Sequence, residues 1–358
     1  MQFHFFSVLE QVCGCLFSYY PMACKIKCLH FLPILDIRYI SILPVLTCFL
    51  LSSCQEDSDI IDPSELGKWK YYNRSNGLSD DCIYVIKQDR EGNIWVGTDA
   101  GGVCMFDGDH WSHYTMDDGL LSNLIFAIEE DVDGDMWIAT SAGLNLLIDG
   151  QLYYLDSIGE FPVTPIALFA DSKDQMWIGT RGQGIFVVNR TQYNYAFLDN
   201  PDHGYVSYIT EDQDNNIWFA TRAGAFYFDG QNFLLYSNST GLNDKEILYI
   251  MPDSWGDVWF STLEDSCVFR YDGHTAEQIS LSNGYTVSGV FSMVEDLNRN
   301  IWFSTCIAGI VKYNRAEMQS IKIADGLKDT IVYCSTMDRE GNLWFGTDAG
   351  GINVYITK

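Results

Sequence analysis

The sequence predicts an all-β protein of seven similar units, and three observations support this prediction. Tryptophan recurs at intervals of 40 to 43 residues over most of the 358-residue chain. Each of these tryptophans has Asp six residues before it, Gly, Ala or Ser two residues after it, and Thr three residues after it. Apolar residues make up 47% of the chain and aromatic residues 15%, with 30 Gly and 8 Pro, which suits many short strands and tight turns. The repeating tryptophans are Trp95, Trp137, Trp177, Trp218, Trp259, Trp302 and Trp344.

Each unit is predicted to contain four antiparallel strands. The Asp89 side chain can accept hydrogen bonds from backbone N–H groups of the turn that follows the first strand. Asp107 and Gly108 are typical of a two-residue hairpin between the third and fourth strands. In the first unit the strands are predicted at Ile83–Gln88, Ile94–Thr98, Gly102–Phe106 and Trp111–Thr115.

The units cannot stand alone, because both faces of each predicted sheet are apolar. On the second strand of the first unit, Trp95 and Gly97 share one face, so a large ring lies beside a small residue and suits packing against a neighbour. Radial stacking of such units gives a seven-bladed β-propeller over residues 67–358. The last unit has only three strands of its own, and Trp69–Tyr72 is predicted to supply the fourth and close the ring.

The first 54 residues differ in character from the repeats. Residues 39–53 form an uncharged run of 15 residues, shorter than the ~20 that a membrane span needs and typical of a signal peptide. The run ends in Leu-Ser-Ser before Cys54, which resembles a bacterial lipobox. We therefore predict a signal peptide over residues 1–54, with translation starting as late as Met22, and an acidic tether over residues 55–66.

Cys54 is accordingly the predicted lipid attachment site, and the protein is expected in the bacterial envelope. The expected location is the outer membrane, on its periplasmic side or at the cell surface. The alternative is an ordinary signal peptide or a short anchor in which Cys54 has no role.

The charge of the chain limits its partners. There are 21 basic and 48 acidic residues, for a net charge of −27. A nucleic-acid surface must be basic, so nucleic acid is not an expected partner. Docking on anionic lipid through a basic patch is also disfavoured, which leaves the lipid anchor as the expected membrane contact. The five cysteines of the repeat region are expected to be small buried residues rather than a disulfide framework.

The consensus Asp-x-x-Gly-Asn-(Ile/Leu)-Trp-(Val/Phe)-Gly-Thr occurs at Asp89–Thr98 and Asp338–Thr347. It resembles the two-component regulator propeller repeat, which builds the extracytoplasmic sensor of hybrid two-component systems in Bacteroidetes. The resemblance implies a ligand-binding sensor propeller, here as a stand-alone lipoprotein. Nothing in the chain resembles a kinase core, so a membrane-bound signalling partner is expected to carry out catalysis. WD40 repeats are a poor match, because their Gly-His and Trp-Asp pairs are missing.

A weaker resemblance is to the propeller of streptogramin lyases, and it implies a metal-assisted site of His and Glu. The repeat region has only His110, His113, His203 and His274, and none belongs to a His-x-His or Glu-x-His cluster. Residues 131–135 are rich in Asp and look like a calcium loop, but no bidentate Glu follows at the required distance. We therefore predict no catalytic residues, no metal and no cofactor, and interpret the seven repeated Asp residues as turn caps.

A candidate ligand site follows from the geometry of an antiparallel blade. The loop after the second strand emerges at the same end as the loop that leads to the next blade. The position four residues after Trp varies there, and Arg181 and Arg222 fall on adjacent blades. They are predicted to clamp a carboxylate or sulfate, with His203 and Tyr205 between them and Glu264 on the next blade. The alternative is that both arginines form ordinary surface salt bridges with Glu264 and Asp265.

Three functions remain open from the sequence. The favoured one is a non-catalytic module that recognises a glycan or a protein partner. The second is a hydrolase or lyase that acts on a polysaccharide or a streptogramin-type antibiotic. The third is a scaffold that holds an envelope complex together through an acidic face.

Overall fold

The structure, a computed structural model, describes residues 68–155, 164–189, 192–196, 204–236, 242, 245–262, 267–281 and 289–357. The predicted signal peptide, the tether over residues 55–66 and Cys54 therefore lie outside the described residues. So do two predicted site residues, His203 and Glu264. Within the described ranges, no helix is long and apolar enough to cross a membrane.

The described chain contains seven four-stranded antiparallel sheets, which are the blades of the predicted propeller. The N-terminal strand is β1 (Lys68–Tyr72). Blade 1 contains β2 (Ile83–Gln88), β3 (Ile94–Thr98), β4 (Val103–Phe106) and β5 (Trp111–Tyr114). Blade 2 contains β6 (Ile125–Glu130), β7 (Met136–Thr140), β8 (Gly143–Ile148) and β9 (Gln151–Leu155). Blade 3 contains β10 (Pro165–Ala170), β11 (Met176–Thr180), β12 (Ile185–Asn189) and β13 (Gln192–Ala196).

The remaining blades repeat this plan. Blade 4 contains β14 (Val206–Glu211), β15 (Ile217–Thr221), β16 (Gly224–Phe228) and β17 (Phe233–Tyr236). Blade 5 contains β18 (Ile247–Pro252), β19 (Val258–Thr262), β20 (Cys267–Tyr271) and β21 (Ala276–Ser280). Blade 6 contains β22 (Val290–Glu295), β23 (Ile301–Thr305), β24 (Ile310–Tyr313) and β25 (Met318–Ile321). Blade 7 contains β26 (Val332–Met337), β27 (Leu343–Thr347) and β28 (Ile352–Ile356) from the C-terminal end.

The ring closes as predicted, because β1 is the fourth strand of blade 7. It pairs antiparallel with β28, with Trp69 opposite Tyr355 and Tyr72 opposite Ile352. The Tyr72 ring is buried and stacks on Trp344, with ring centroids 5.7 Å apart. The two ends of the described chain therefore share one sheet.

The repeated Trp and its small neighbour join each blade to the next. Trp95 is 5% exposed and packs in a cluster with Ile125, Ile128 and other residues of blade 2. A Cβ atom on Gly97 would lie 2.6 Å from Cγ2 of Ile125, which explains the small residue at this position. Burial of one such ring removes about 200 Å² from water and contributes a few kcal/mol.

The repeated Asp has two roles, of which only the turn cap was predicted. In blade 1, Oδ1 of Asp89 accepts a hydrogen bond from the backbone N–H of Asn93 at 2.8 Å. Its Oδ2 accepts from the indole N–H of Trp95 at 2.7 Å. The same indole contact, at 2.6 to 2.9 Å, recurs in the other six blades. The Asp thus satisfies the only polar atom of a buried Trp side chain.

The repeated Thr caps the loop after the second strand. Oγ1 of Thr98 donates to the carbonyl of Gly102 at 2.8 Å and accepts from the N–H of Gly101 at 2.9 Å. Because Gly102 has a φ of 76° and belongs to this turn, β4 begins at Val103, one residue later than predicted. The Thr-to-Gly hydrogen bond recurs in the five other blades whose loop is described.

Every inner strand carries a β-bulge near its start. In β2 the register with β3 shifts between Ile83 and Val85, so that Tyr84 lies in the bulge. Bulges re-aim single side chains, and these seven lie at the end of the blades where the Thr-capped loops emerge. The bulged residues are Tyr84, Phe126, Ile166, Ser207, Leu248, Phe291 and Tyr333.

Candidate functional site

The candidate site lies at one end of the propeller, which we call the loop face. The loop face carries the loop after the second strand of each blade, the connection to the next blade and the bulged residues of the inner strands. The opposite end, which we call the turn face, carries the Asp–Trp turns. Propellers present ligand-accessible loops around a central channel, so side chains that converge at the loop face can contact one molecule.

Tyr205 brings the two predicted arginines together. Arg181 forms an antiparallel β-bridge with Tyr205, which fixes the loop of blade 3 against the strand that starts blade 4. The guanidinium carbon of Arg222 lies 4.0 Å from the centre of the Tyr205 ring. Burial raises the pKa of Tyr205, and the positive charges of Arg181 and Arg222 oppose this rise. The phenol therefore stays protonated at neutral pH, and the charges of both arginines act on it.

The arginines also contact groups that the sequence did not indicate. The guanidinium carbon of Arg181 lies 5.4 Å from the ring centre of Phe126, the bulged residue of blade 2. Nε of Arg222 lies 3.5 Å from Oε1 of Glu246, which precedes the inner strand of blade 5. Arg222 thus forms a salt bridge with Glu246, while the alternative partners Glu264 and Asp265 lie outside the described residues. Because the Arg222 side chain is 42% exposed, such a pair contributes at most about 1 kcal/mol.

A second cluster of tyrosines and carboxylates lies at the junction of blades 7 and 1. The hydroxyl of Tyr333 donates to Oδ1 of Asp348 at 3.0 Å, and Tyr84 forms the corresponding hydrogen bond with Asp99. The Tyr84 and Tyr333 rings are 5.3 Å apart, and Phe291 lies 5.4 Å from Tyr333. Three bulged residues of neighbouring blades thus form an aromatic arc at the loop face.

The carboxylates of this second cluster are shifted in pKa. Burial raises the pKa of Asp348; the hydrogen bond from Tyr333 opposes this rise, and the negative charge of Asp329 adds to it. Burial likewise raises the pKa of Asp99, against the hydrogen bond with Tyr84. The negative charge of these carboxylates is poorly compensated by hydrogen bonds. The carboxylates of the turns, in contrast, each accept hydrogen bonds from several N–H groups.

Two further acidic residues at this junction have structural roles. Oδ2 of Asp80 accepts from the backbone N–H of Ala100 at 2.9 Å, and Oδ2 of Asp329 accepts from Ala349 at 2.8 Å. Each carboxylate ties the connection between two blades to the neighbouring loop. They therefore hold the loops that carry Asp99 and Asp348 in place.

The sequence could have indicated the aromatic arc. Each bulged residue lies eleven positions before a repeated Trp, and this column is aromatic in four of the seven repeats. The column four residues after Trp contains Arg181 and Arg222, but Phe126, the aromatic neighbour of Arg181, lies in the column of bulged residues. Glu246 lies in a connection whose length varies between repeats, so the repeats cannot be aligned at its position.

A cavity of about 290 Å³ lies at the turn face, between blades 2 and 3. At three other blade junctions, a Glu at the end of an inner strand accepts from a backbone N–H of the preceding turn. Blade 3 has Ala170 at that position, so the contact is missing where the cavity forms. Lys87 and Glu129 line the cavity and pair with each other at 2.6 Å. The cavity thus lies at a junction where this Glu contact is missing.

The described histidines are dispersed. Nε2 of His113 lies 2.8 Å from the carbonyl of Gly77, and His110 lies 4.0 Å from Asp107 in a turn. Among the residues that the structure describes, no group of three or more His, Cys, Asp or Glu could hold a metal ion. Five cysteines in the same part of the chain carry thiols rather than disulfides, and burial raises the pKa of Cys334 to about 12.

The described chain is thus a seven-bladed β-propeller. At its loop face lies a cation–aromatic cluster, which consists of Arg181, Arg222, Phe126 and Tyr205. The sequence profile of the two component regulator propeller family matches it in four segments, at residues 77–100, 119–142, 200–223 and 326–349. The third segment contains both Tyr205 and Arg222. Four segments of the chain therefore match two component regulator propeller repeats, as the resemblance implied.

Solved structures share this fold at low sequence identity. Two extracellular domains assigned to hybrid two component systems of B. thetaiotaomicron are each 20% identical, with TM-scores of 0.68 and 0.66. They match over 80% and 81% of this chain but only 41% and 39% of their own. A catalytically inactive virginiamycin B lyase from Staphylococcus aureus with quinupristin is 14% identical, with a TM-score of 0.66, over 80% of this chain and 98% of its own. These likenesses show the fold, and the chain spans about two fifths of the first two relatives. No curated protein sequence matches the chain significantly.

Proposed function

We propose that the protein is a non-catalytic recognition propeller of the bacterial envelope, which binds an anionic group of a glycan or protein at the loop face. The observation that carries this proposal is the position of two arginines beside Tyr205, in a chain of net charge −27: Arg222 lies over its ring, and Arg181 is bridged to its backbone. Guanidinium groups bind carboxylates and sulfates through paired N–H donors. The aromatic rings beside them offer surfaces on which a sugar ring can stack.

The envelope location is part of the proposal. It is supported by the fold shared with extracellular domains of two component systems and by the lipobox-like sequence before Cys54. Metabolic labelling with a fatty acid tests the anchor directly. Wild type should be labelled and Cys54→Ala should not, whereas equal labelling of both chains would contradict lipid attachment at this residue.

The binding site is tested by calorimetric titration of the full chain with glucuronate and uronate-containing oligosaccharides. The double variant Arg181→Ala with Arg222→Ala should lose at least tenfold in affinity, because both charged donors are removed. A matched control is Lys173→Ala with Arg299→Ala, which removes two exposed cations from the turn face and should leave the titration unchanged. Equal binding by both double variants would exclude this site.

A second candidate is a lyase of the streptogramin type. The observation in its favour is that the chain spans 98% of a virginiamycin B lyase structure, whereas the sensor domains are much longer. Turnover of quinupristin by the purified chain would establish this activity. The described histidines do not converge, so we rank it below recognition.

A signalling or scaffold partner is also part of the proposal, because the fold is shared with extracellular domains of two component systems. A partner that recognises the ligand-bound state of the site should contact the loop face. Pull-down from envelope extracts with wild type and with the Arg181→Ala, Arg222→Ala variant tests this. Unchanged capture would favour a scaffold role through another surface.

A further inference from the structure

Glu246 is a carboxylate inside the cation–aromatic cluster. Its Oε1 lies 3.5 Å from Nε of Arg222, and its side chain is 22% exposed, against 42% for the arginine. Its negative charge also contributes to raising the pKa of Tyr205, so it lies near the ring as well as the guanidinium. An anion that binds Arg222 must therefore approach Glu246.

The contact with Arg222 does not occupy the whole guanidinium. It joins one Nε–H edge to one carboxylate oxygen at a long distance, while a guanidinium offers five N–H donors. The arginine can bind a ligand anion while Glu246 stays in place. In that arrangement the ligand anion and Glu246 repel each other, and the repulsion grows in proportion to the ligand charge.

We infer that Glu246 is a specificity-determining residue, which reduces the advantage that dianions such as phosphate monoesters would otherwise have at the loop-face site over singly charged anions such as carboxylates and sulfate esters. The inference rests on the proposed function, because it assigns a ligand class to the same site. Arg181 and Arg222 supply the attraction, and Glu246 sets how much negative charge the site tolerates. A site built from attraction alone would prefer the dianion, so a built-in repulsive group provides the discrimination.

The experiment compares two probes on the full chain at pH 8 by calorimetric titration. Glucuronate carries one negative charge, and glucose 6-phosphate carries two, because the second pKa of a phosphate monoester is about 6. Wild type should bind glucose 6-phosphate with a smaller advantage over glucuronate than Glu246→Gln does. Glu246→Gln keeps the shape and removes the charge, and it should tighten glucuronate by roughly threefold. Since electrostatic work scales with ligand charge, glucose 6-phosphate should tighten by the square of that factor, roughly tenfold.

The matched control is Glu277→Gln, which removes one exposed carboxylate from the outer strand of blade 5 and should change neither affinity. Glu246→Ala, compared with wild type by circular dichroism, should give the same order of effects as Glu246→Gln. Equal or weaker binding of both probes by the Glu246 variants would overturn the inference while leaving the arginine site intact. If wild type binds neither probe, the proposed anion site itself fails, and the inference fails with it.

Discussion

Arg315 of blade 6 is buried against Asp253 of blade 5, with Nη2 2.6 Å from Oδ2 and side-chain exposures of 11% and 0%. The same Oδ2 accepts the indole N–H of Trp259 at 2.8 Å. Nη1 of Arg315 lies 3.4 Å from Asp257, and its guanidinium carbon lies 3.8 Å from the ring centre of the half-exposed Trp255. One arginine thus joins the turns of two blades at the turn face.

Arg315→Ala should therefore destabilise the propeller by about 3 kcal/mol, because it leaves a buried carboxylate without its cation. Urea unfolding followed by tryptophan fluorescence measures the loss. The control is Arg299→Ala, which lies 5.8 Å from the same Trp255 ring but is exposed, and which should change stability by less than about 0.5 kcal/mol. Similar losses of stability for both variants would show that the contact with Asp253 contributes no more to stability than the exposed Arg299 does.

The Asp–Trp hydrogen bond makes a second prediction at Asp338, which is 6% exposed and whose Oδ2 lies 2.8 Å from Nε1 of Trp344. Asp338→Ala should cost about 2–4 kcal/mol, since it leaves the buried indole N–H and the turn N–H groups without an acceptor. Thermal unfolding detects the change. Asp214→Ala, an exposed residue of the equivalent turn in blade 4, should be nearly neutral, and a comparable loss there would refute the explanation.

Ring closure makes a third prediction at Tyr72, which is 6% exposed. Tyr72→Ala should lower the free energy of unfolding by about 3 kcal/mol, because it removes a buried ring from the closing sheet. Lys70→Ala on the same strand is exposed and should cost much less. Chemical denaturation of both variants makes the comparison, and closure through this strand would be in doubt if Tyr72→Ala were neutral.

The raised pKa of Asp348 makes a pH-dependent prediction. Because burial raises this pKa above its ordinary value of 3.8, the folded state holds the proton more strongly than the unfolded chain. The ionised carboxylate therefore destabilises the fold, and this penalty disappears as the pH falls through the folded pKa. Asp348→Asn should stabilise the protein at pH 8, and the gain should shrink toward pH 4.

Denaturation of wild type and Asp348→Asn at several pH values measures that trend. The exposed Asp214→Asn serves as the control and should show no comparable gain at pH 8. A gain that grows as the pH falls would contradict the assigned direction of the pKa shift.

The sequence predicted the fold because its information lies in columns that repeat with the blade period. Trp95, Asp89 and Thr98 each act within one blade or between neighbours, so their roles can be derived from one unit. The positions of Arg181 and Arg222 follow in the same way, from a single column of the repeat at the loop face.

The remaining contacts depend on how different columns meet after the blades have stacked. Arg315 and Asp253 are 62 residues apart and belong to different turns of different blades. Glu246 lies in a connection whose length varies between repeats, so no alignment of the units places it beside Arg222. The position of Tyr205 was predicted, but its backbone bridge to Arg181 and the stacking of Arg222 on its ring form only in the folded chain.

The sharing of blade 7 between β1 and β28 has a consequence for the order of events during synthesis. Tyr71 and Gly326, which share a hydrogen bond in the closed ring, are separated by 255 residues. On a ribosome, β1 emerges first and waits as an unpaired edge until almost the entire chain has followed. A truncated product that lacks β28 would leave this strand without a partner. Only a chain that includes β28 can therefore close the ring.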